Sequence, residues 1–296
     1  MERIPGREAV RVRGWWPAHK WLVLRRASQL AVLGLFLAGP WFGLWIVKGN
    51  LSSSLTLGVL PLTDPFVLAQ TLAAGHVPEL AALVGAGIVL AFYALVGGRV
   101  YCAWVCPVNP VTDAARWLHD RLGIRGGAGV SPRLRYWLLG TVLAVAAATG
   151  MAAWELVNPV SILHRGLIFG FGAGWAVIAA VFLADLLLAR RAWCGHLCPM
   201  GAFYGLLGRV AQVRVRAEQR ARCDECMDCY RVCPEPQVLR APLRGTGGAG
   251  PVVLSGDCTN CGRCIDVCPQ DVFRFGLRGG GREDSVEISR SAEVQP

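Results

Sequence analysis

Apolar positions fall in long blocks, and four stretches (residues 27–47, 80–98, 136–154 and 166–184) carry no charged side chain. Each is long enough to cross about 30 Å of hydrocarbon at about 1.5 Å per residue. The pattern predicts four membrane-spanning helices. Lysine and arginine number seven before the first stretch, one in the next connection, then six, then one, then seven over residues 190–222. That alternation obeys the positive-inside rule at every crossing, so both termini are expected in the cytoplasm of a multi-pass protein of the bacterial inner membrane.

The segments between the blocks add detail. Residues 1–26 form a basic cytoplasmic N-terminus, and the apolar run behind them is too long for a signal-peptide core. Residues 49–78 are apolar in two short pieces, which predicts an interfacial or re-entrant segment on the outer side. Trp41, Trp45 and Trp154 read as interface anchors. Residues 201–222 read as an amphipathic linker whose Arg209, Arg214 and Arg216 face lipid headgroups. Asp185 is expected to pair with Arg190 or Arg191. Residues 279–296 are Gly-rich, then polar, and read as a disordered tail.

Composition fits a membrane chain. Of 296 residues, 54% are hydrophobic and 17% are charged, against about 25% charged in soluble domains. The net charge of +10 does not point to nucleic acid, because the basic residues flank apolar runs instead of gathering on one domain. No Gly-rich dinucleotide fingerprint and no P-loop occurs, which argues against a nucleotide-dependent reaction.

The membrane part, 27–200, reads as two duplicated two-helix units. Asp64-Pro65 precedes Arg99-x-x-Cys102-x-x-x-Cys106-Pro107, and Asn158-Pro159 precedes Arg191-x-x-Cys194-x-x-x-Cys198-Pro199. Asp64 and Asn158 read as helix N-caps followed by proline at the first helical position. The two Cys-x-x-x-Cys-Pro motifs admit three readings: inert buried thiols, a switchable dithiol in each copy, or four thiolates that a two-fold axis brings together to hold a third iron–sulfur centre. In each motif the proline predicts a helix end or tight turn at the second cysteine. Glu155 and His164, near the outer ends of two spans, are candidates for accepting protons from a substrate, with an interfacial polar pair as the plainer reading.

Residues 223–278 hold Cys223-x-x-Cys226-x-x-Cys229-x-x-x-Cys233-Pro234 and Cys258-x-x-Cys261-x-x-Cys264-x-x-x-Cys268-Pro269. This is the bacterial two-cluster ferredoxin run, twice. Three cysteines wrap one cubane and the fourth reaches the other. Cys223, Cys226, Cys229 and Cys268 are therefore expected on one [4Fe–4S] cluster, and Cys258, Cys261, Cys264 and Cys233 on the second. Disulfides fit a reducing compartment poorly, and structural zinc sites seldom repeat this run with a trailing proline. The fold class expected is a four-helix transmembrane bundle with a small α+β ferredoxin domain.

Taken together, these motifs and the stretches KGNLSSS, PLTDPF, NPVSILHRG and WCGHLCPMGAFYG resemble the NapH/MauN family of membrane ferredoxins over roughly residues 15–278. The resemblance implies a quinol dehydrogenase component of anaerobic respiration. Its electrons would go to a periplasmic reductase, nitrate reductase above all, through a partner iron–sulfur ferredoxin subunit, a multihaem cytochrome c, or both. The alternatives are a membrane ferredoxin serving metal reduction or cofactor maturation, or a redox sensor. Two related families carry either a large domain before the spans or a folded domain after the clusters. Here 26 residues precede the first span and 28 follow Cys268.

Overall fold

The computed structural model describes residues 4–124, 131–188 and 191–279. Its longest helix, Trp15–Phe42, has 28 residues and rises about 42 Å. Among the described residues it alone is long and apolar enough to cross a membrane. Gly43, at φ 73°, ends it in the left-handed conformation that glycine adopts freely, and its N–H returns to the Gly39 carbonyl.

Three shorter apolar helices follow: Leu80–Val96, Leu134–Thr149 and Gly172–Leu188. Each departs from its expected stretch for a local reason. Gly150 (φ 67°) stops the third expected span early. The fourth, 166–184, is not one helix: Pro159–Phe169 ends at Gly170, at φ 87°, and a new helix starts at Gly172. The first gives up Val47 to a strand.

The expected re-entrant segment contains a small antiparallel meander, Val47–Gly49, Ser53–Thr56 and Leu60–Thr63, then the helix Pro65–Ala73. Gly49 is obligatory at the turn. Its φ is 109°, and a Cβ there would stand 2.3 Å from the Ser53 carbonyl oxygen. The cap readings agree with the geometry: Asp64 Oδ1 accepts the Phe66 N–H at 3.0 Å and Asn158 Oδ1 the Val160 N–H at 3.1 Å.

The expected amphipathic linker is not one helix. Pro199–Leu207 is helical, but Val213–Arg216 is a strand paired antiparallel with Arg274–Leu277. It belongs to the ferredoxin module, which begins earlier than expected. Arg214 is buried, not lipid-facing, and donates to the carbonyls of Ala211, Ser255 and Gly208. Arg216 is buried too. Asp185 accepts the Trp193 N–H at 2.7 Å, while Arg191 pairs with Asp113 at 2.9 Å. The ion pair expected between Asp185 and Arg191 does not form, because a closer carboxylate takes the guanidinium. Arg190 and tail residues 280–296 lie outside the described residues.

Two apolar cores result. One gathers Phe66, Tyr93, Tyr101, Val108, Met200 and Tyr204 among the helices. The other gathers Val215, Leu239, Val253, Ile265 and Phe273 inside the module. Gly98 lets the backbones of the first core meet, since a Cβ there would lie 1.9 Å from the Tyr204 carbonyl oxygen.

The N-terminal segment and three ionic clasps dock the module onto the helices. Gly6 donates its N–H to Asp228, Arg13 donates to the carbonyls of Ile265 and Cys268, and Asp266 accepts the N–H groups of Trp21 and Leu22. Glu235 of the module takes Arg99 and Arg135 at 2.6 Å each, and Arg135 also reaches Asp257 at 2.6 Å. Asp113 of the helix Asn109–Arg121 takes Arg26, Arg191 and the module's Arg263.

Candidate iron–sulfur site

The ferredoxin cysteines gather at two places in the module. Cys223, Cys226, Cys229 and Cys268 line one cavity of about 300 Å³. Burial, then Cys268, Cys223 and Cys226, pushes the Cys229 thiol up to about 12. Around the second place, burial and then Cys261, Cys233, Cys258 and Cys229 push the Cys264 thiol well above its ordinary value. The first cavity draws three cysteines from one run and the last from the other. The left-handed residues Met227 (φ 62°) and Gly262 (φ 71°) stand just before the short helices Asp228–Val232 and Arg263–Val267, turning the loops back around the cysteines.

Cys261 differs in electrostatics. Burial raises its thiol, but Arg25 and Arg263 outweigh that and leave it below the usual value. Two cations therefore stand ready for the negative charge of a thiolate-bound cluster.

The Cys-x-x-x-Cys-Pro motifs meet. Cys102, Cys106, Cys194 and Cys198 line one small cavity of about 20 Å³, with Tyr101, Trp154 and Trp193 in its wall. Cys102 sits in the short helix Val100–Trp104, and Cys106 lies just past its end. Cys194 sits in the wide turn Trp193–Leu197, and Cys198 caps the next helix by accepting the Gly201 N–H at 3.4 Å. The motif arginine of one copy stitches the two together, with Arg99 donating to the Cys194 carbonyl at 2.9 Å. A smaller cavity, about 10 Å³, has Cys102 and Cys194 in its wall together with Pro234 and Cys261. It is the joining cavity, sharing wall residues with the four-cysteine cavity on one side and the second ferredoxin run on the other.

The donors in these walls fit iron–sulfur groups. Buried donors without partners among the described residues stand in these walls: the indole N–H of Trp154 at the four-cysteine cavity, Arg25 (Nε and Nη1) and the Nε of Arg99, Arg191 and Arg263 at the joining cavity, and the Tyr230 hydroxyl at the first ferredoxin site. A buried donor without an acceptor costs about 1–3 kcal/mol, and cluster or cysteine sulfur is the acceptor these positions offer. Among the described residues no three His, Cys, Asp or Glu side chains close on a single metal ion.

Glu155 and His164 are not brought together as a pair. Glu155 accepts from Ser52, Asn158 and Ser161, while both His164 ring nitrogens lack partners among the described residues and the ring packs edge-on against Phe36 at 5.6 Å. Sequence reasoning missed Asp113, Glu235 and Trp154 as parts of the site. Glu235, directly behind Cys233-Pro234, carried the only local signal.

Comparison with known proteins agrees with this arrangement. A family described as a 4Fe-4S binding domain matches twice, over residues 79–125 and 171–218, so that each match contains one Cys-x-x-x-Cys-Pro motif. A 4Fe-4S dicluster domain matches residues 222–272. The ferredoxin-type protein NapH of Haemophilus influenzae is 52% identical over 93% of this chain and 96% of its own length. NapH of Escherichia coli is 51% identical over 94% and 96%. The methylamine utilization ferredoxin-type protein MauN of Methylorubrum extorquens is 54% identical over 92% and 94%. No solved structure matches. With near-full-length identity above one half, and 4Fe-4S domains over both its helical part and its module, the chain belongs to the NapH/MauN family of ferredoxin-type iron–sulfur electron-transfer proteins.

Proposed function

We propose that this protein is a quinol-oxidising electron-transfer subunit of the bacterial inner membrane, with four apolar helices crossing the bilayer and both termini in the cytoplasm. Three of those helices are short, at 16–17 residues, and about 25 Å of helix is enough where short flanking helices and loops fill the interfaces. Reporter fusions after residue 120 are expected to read cytoplasmic and fusions near residues 60 and 160 periplasmic. A cytoplasmic signal at residue 60 overturns the orientation.

Cys223, Cys226, Cys229 and Cys268 would hold one [4Fe–4S] cluster and Cys258, Cys261, Cys264 and Cys233 another. Cys102, Cys106, Cys194 and Cys198 would hold a third iron–sulfur centre. Each cubane, when bound, supplies a one-electron carrier. The chain's own part is spacing and charge: the clasps at Glu235 and Asp113 fix the module against the helices, and Arg25, Arg99, Arg191 and Arg263 surround the joining cavity with positive charge.

The observation that carries the reading is the shared lining of that cavity by Cys102, Cys194 and Cys261, which places motif cysteines of the helices beside a ferredoxin cysteine of the module. Electrons would pass to a partner iron–sulfur ferredoxin subunit, a multihaem cytochrome c, or both, and on to a periplasmic reductase. Nitrate reduction is the assignment that the NapH-named relatives favour. The MauN-named relatives, at 54% identity, favour a methylamine-linked chain as second reading.

Anaerobically purified protein mixed with a quinol analogue tests the proposal. The clusters should be reduced within the mixing experiment, whereas a redox sensor or a metal-reducing ferredoxin fed by a soluble donor would leave them oxidised. Within the module, Cys268→Ser should damage the cluster of Cys223, Cys226 and Cys229, as read by paramagnetic resonance. Loss of the Cys258–Cys264 cluster instead would refute ligand exchange.

A further inference from the structure

One large cavity belongs to none of the cysteine sites. It holds about 360 Å³ between the helices Trp15–Phe42 and Leu80–Val96 and the small sheet beneath them. Its wall is mostly apolar, with polar groups converging at one side: Asp64, Tyr93, Tyr101 and Tyr204. Ile88 and Phe92 lie in the wall and are also exposed on the apolar outer surface, which opens the cavity sideways toward lipid. Size, apolar lining and a few convergent polar groups are the features of a small-ligand site.

We propose that this cavity binds the quinol headgroup and that Asp64 is the catalytic residue that takes its proton. The inference rests on the quinol-oxidising reading above and gives it a location that neither Glu155 nor His164 supplies, since neither residue lines the cavity. Asp64 is buried. Its Oδ1 carries both of its side-chain hydrogen bonds, from the Phe66 N–H and from the Tyr204 hydroxyl at 3.0 Å each, and Oδ2 takes neither. Burial pushes the carboxyl up to about 6, against the pull of Phe66 and Tyr204 and with Glu155 adding to the rise. A carboxylate titrating there accepts a proton near neutral pH and can release it again.

Tyr101 and Tyr204 stack with centroids 5.0 Å apart and 11° between planes, and Tyr93 packs edge-on against both. Tyr101 is the wall shared with the four-cysteine cavity, and its chain neighbour is Cys102. A headgroup against Tyr101 therefore lies one side chain from the cysteines. Each quinol gives up two protons and two electrons to become quinone. Asp64 takes the first proton, releases it, and takes the second. The iron–sulfur groups that the cysteines would hold would supply the oxidant, as one-electron acceptors.

The test uses the full chain in detergent, a photoreactive azidoquinone and a soluble quinol analogue. Crosslinks should fall on residues 32–36, 88–105 or 204. Cluster reduction by the quinol should rise with pH through about 6, because the base must be ionised. Asp64→Asn keeps an N-cap, as Asn158 does in the other copy, so the helix Pro65–Ala73 should persist. This variant should crosslink like the wild type, reduce its clusters about 10²-fold or more slower, lose the rise near pH 6, and give the wild-type spectrum with dithionite. Crosslinks elsewhere in a wild type that quinol does reduce would move the site and spare the quinol reading. An unchanged rate and pH profile in Asp64→Asn would remove Asp64 as the acceptor. A wild type that quinol cannot reduce would end the quinol reading and this site with it.

Discussion

Glu235→Ala should destabilise the protein by about 3–5 kcal/mol, because it strips the counter-charge from two buried arginines at once. Arg99 and Arg135 are each 1% exposed and both point a nitrogen at the same Glu235 oxygen, 2.6 Å away. Arg135 keeps Asp257, but Arg99 is left with carbonyls. The apparent Tm should fall by on the order of 10 °C, and the module should become the first part cut by protease. Glu235→Gln keeps an acceptor and should lose less. The pH dependence has a defined sign. Burial opposes ionisation of Glu235, but Arg99 and then Arg135 outweigh it and hold the carboxyl below its usual range. Asp113 is likewise held below its usual range, with Arg263, Arg191 and Arg26 outweighing its burial. Both folded values lie below the unfolded ones. Their contribution is thus complete above about pH 4–5 and disappears as acid brings the pH down through the folded values. Thermal unfolding between pH 3 and 7 should show stability falling on the acid side in the wild type, and a flatter profile in Glu235→Gln.

The second large effect concerns the four-cysteine cavity. Replacing Cys102 or Cys194 with serine should bring quinol-driven reduction of the ferredoxin clusters to background, while dithionite still reduces them. These two cysteines border both the four-cysteine cavity and the joining one, so their loss breaks the path without touching the module's ligands. A switchable dithiol gives a different pattern. There, the single substitutions would leave the iron content unchanged and alter only the response to thiol oxidants.

Much of this was legible in the sequence, because cysteine spacing is a local property. The two ferredoxin runs announce an iron–sulfur module, and the Asp-Pro and Asn-Pro pairs announce their caps. The repeat of Arg-x-x-Cys-x-x-x-Cys-Pro announced the duplication, but its meeting in one cavity is a tertiary fact. The small sheet was hidden because strands of three and four residues, such as Val47–Gly49, are too short for period-two alternation to register. Val213–Arg216 does alternate, but its arginines are buried among carbonyls, which no hydropathy pattern anticipates. The Asp64 cavity depends on a bond to Tyr204, 140 residues away. The clasp at Asp113 likewise joins side chains 87, 78 and 150 residues distant.

The central claim is that the four cysteines of the duplicated motif hold an iron–sulfur centre between quinol and the ferredoxin clusters. Iron and acid-labile sulfide, counted per chain on anaerobically purified protein, test it most directly. The account predicts about twelve of each in the wild type, three cubanes of four, falling to about eight in both Cys102→Ser and Cys194→Ser. About eight in all three proteins would contradict it and leave those cysteines as thiols.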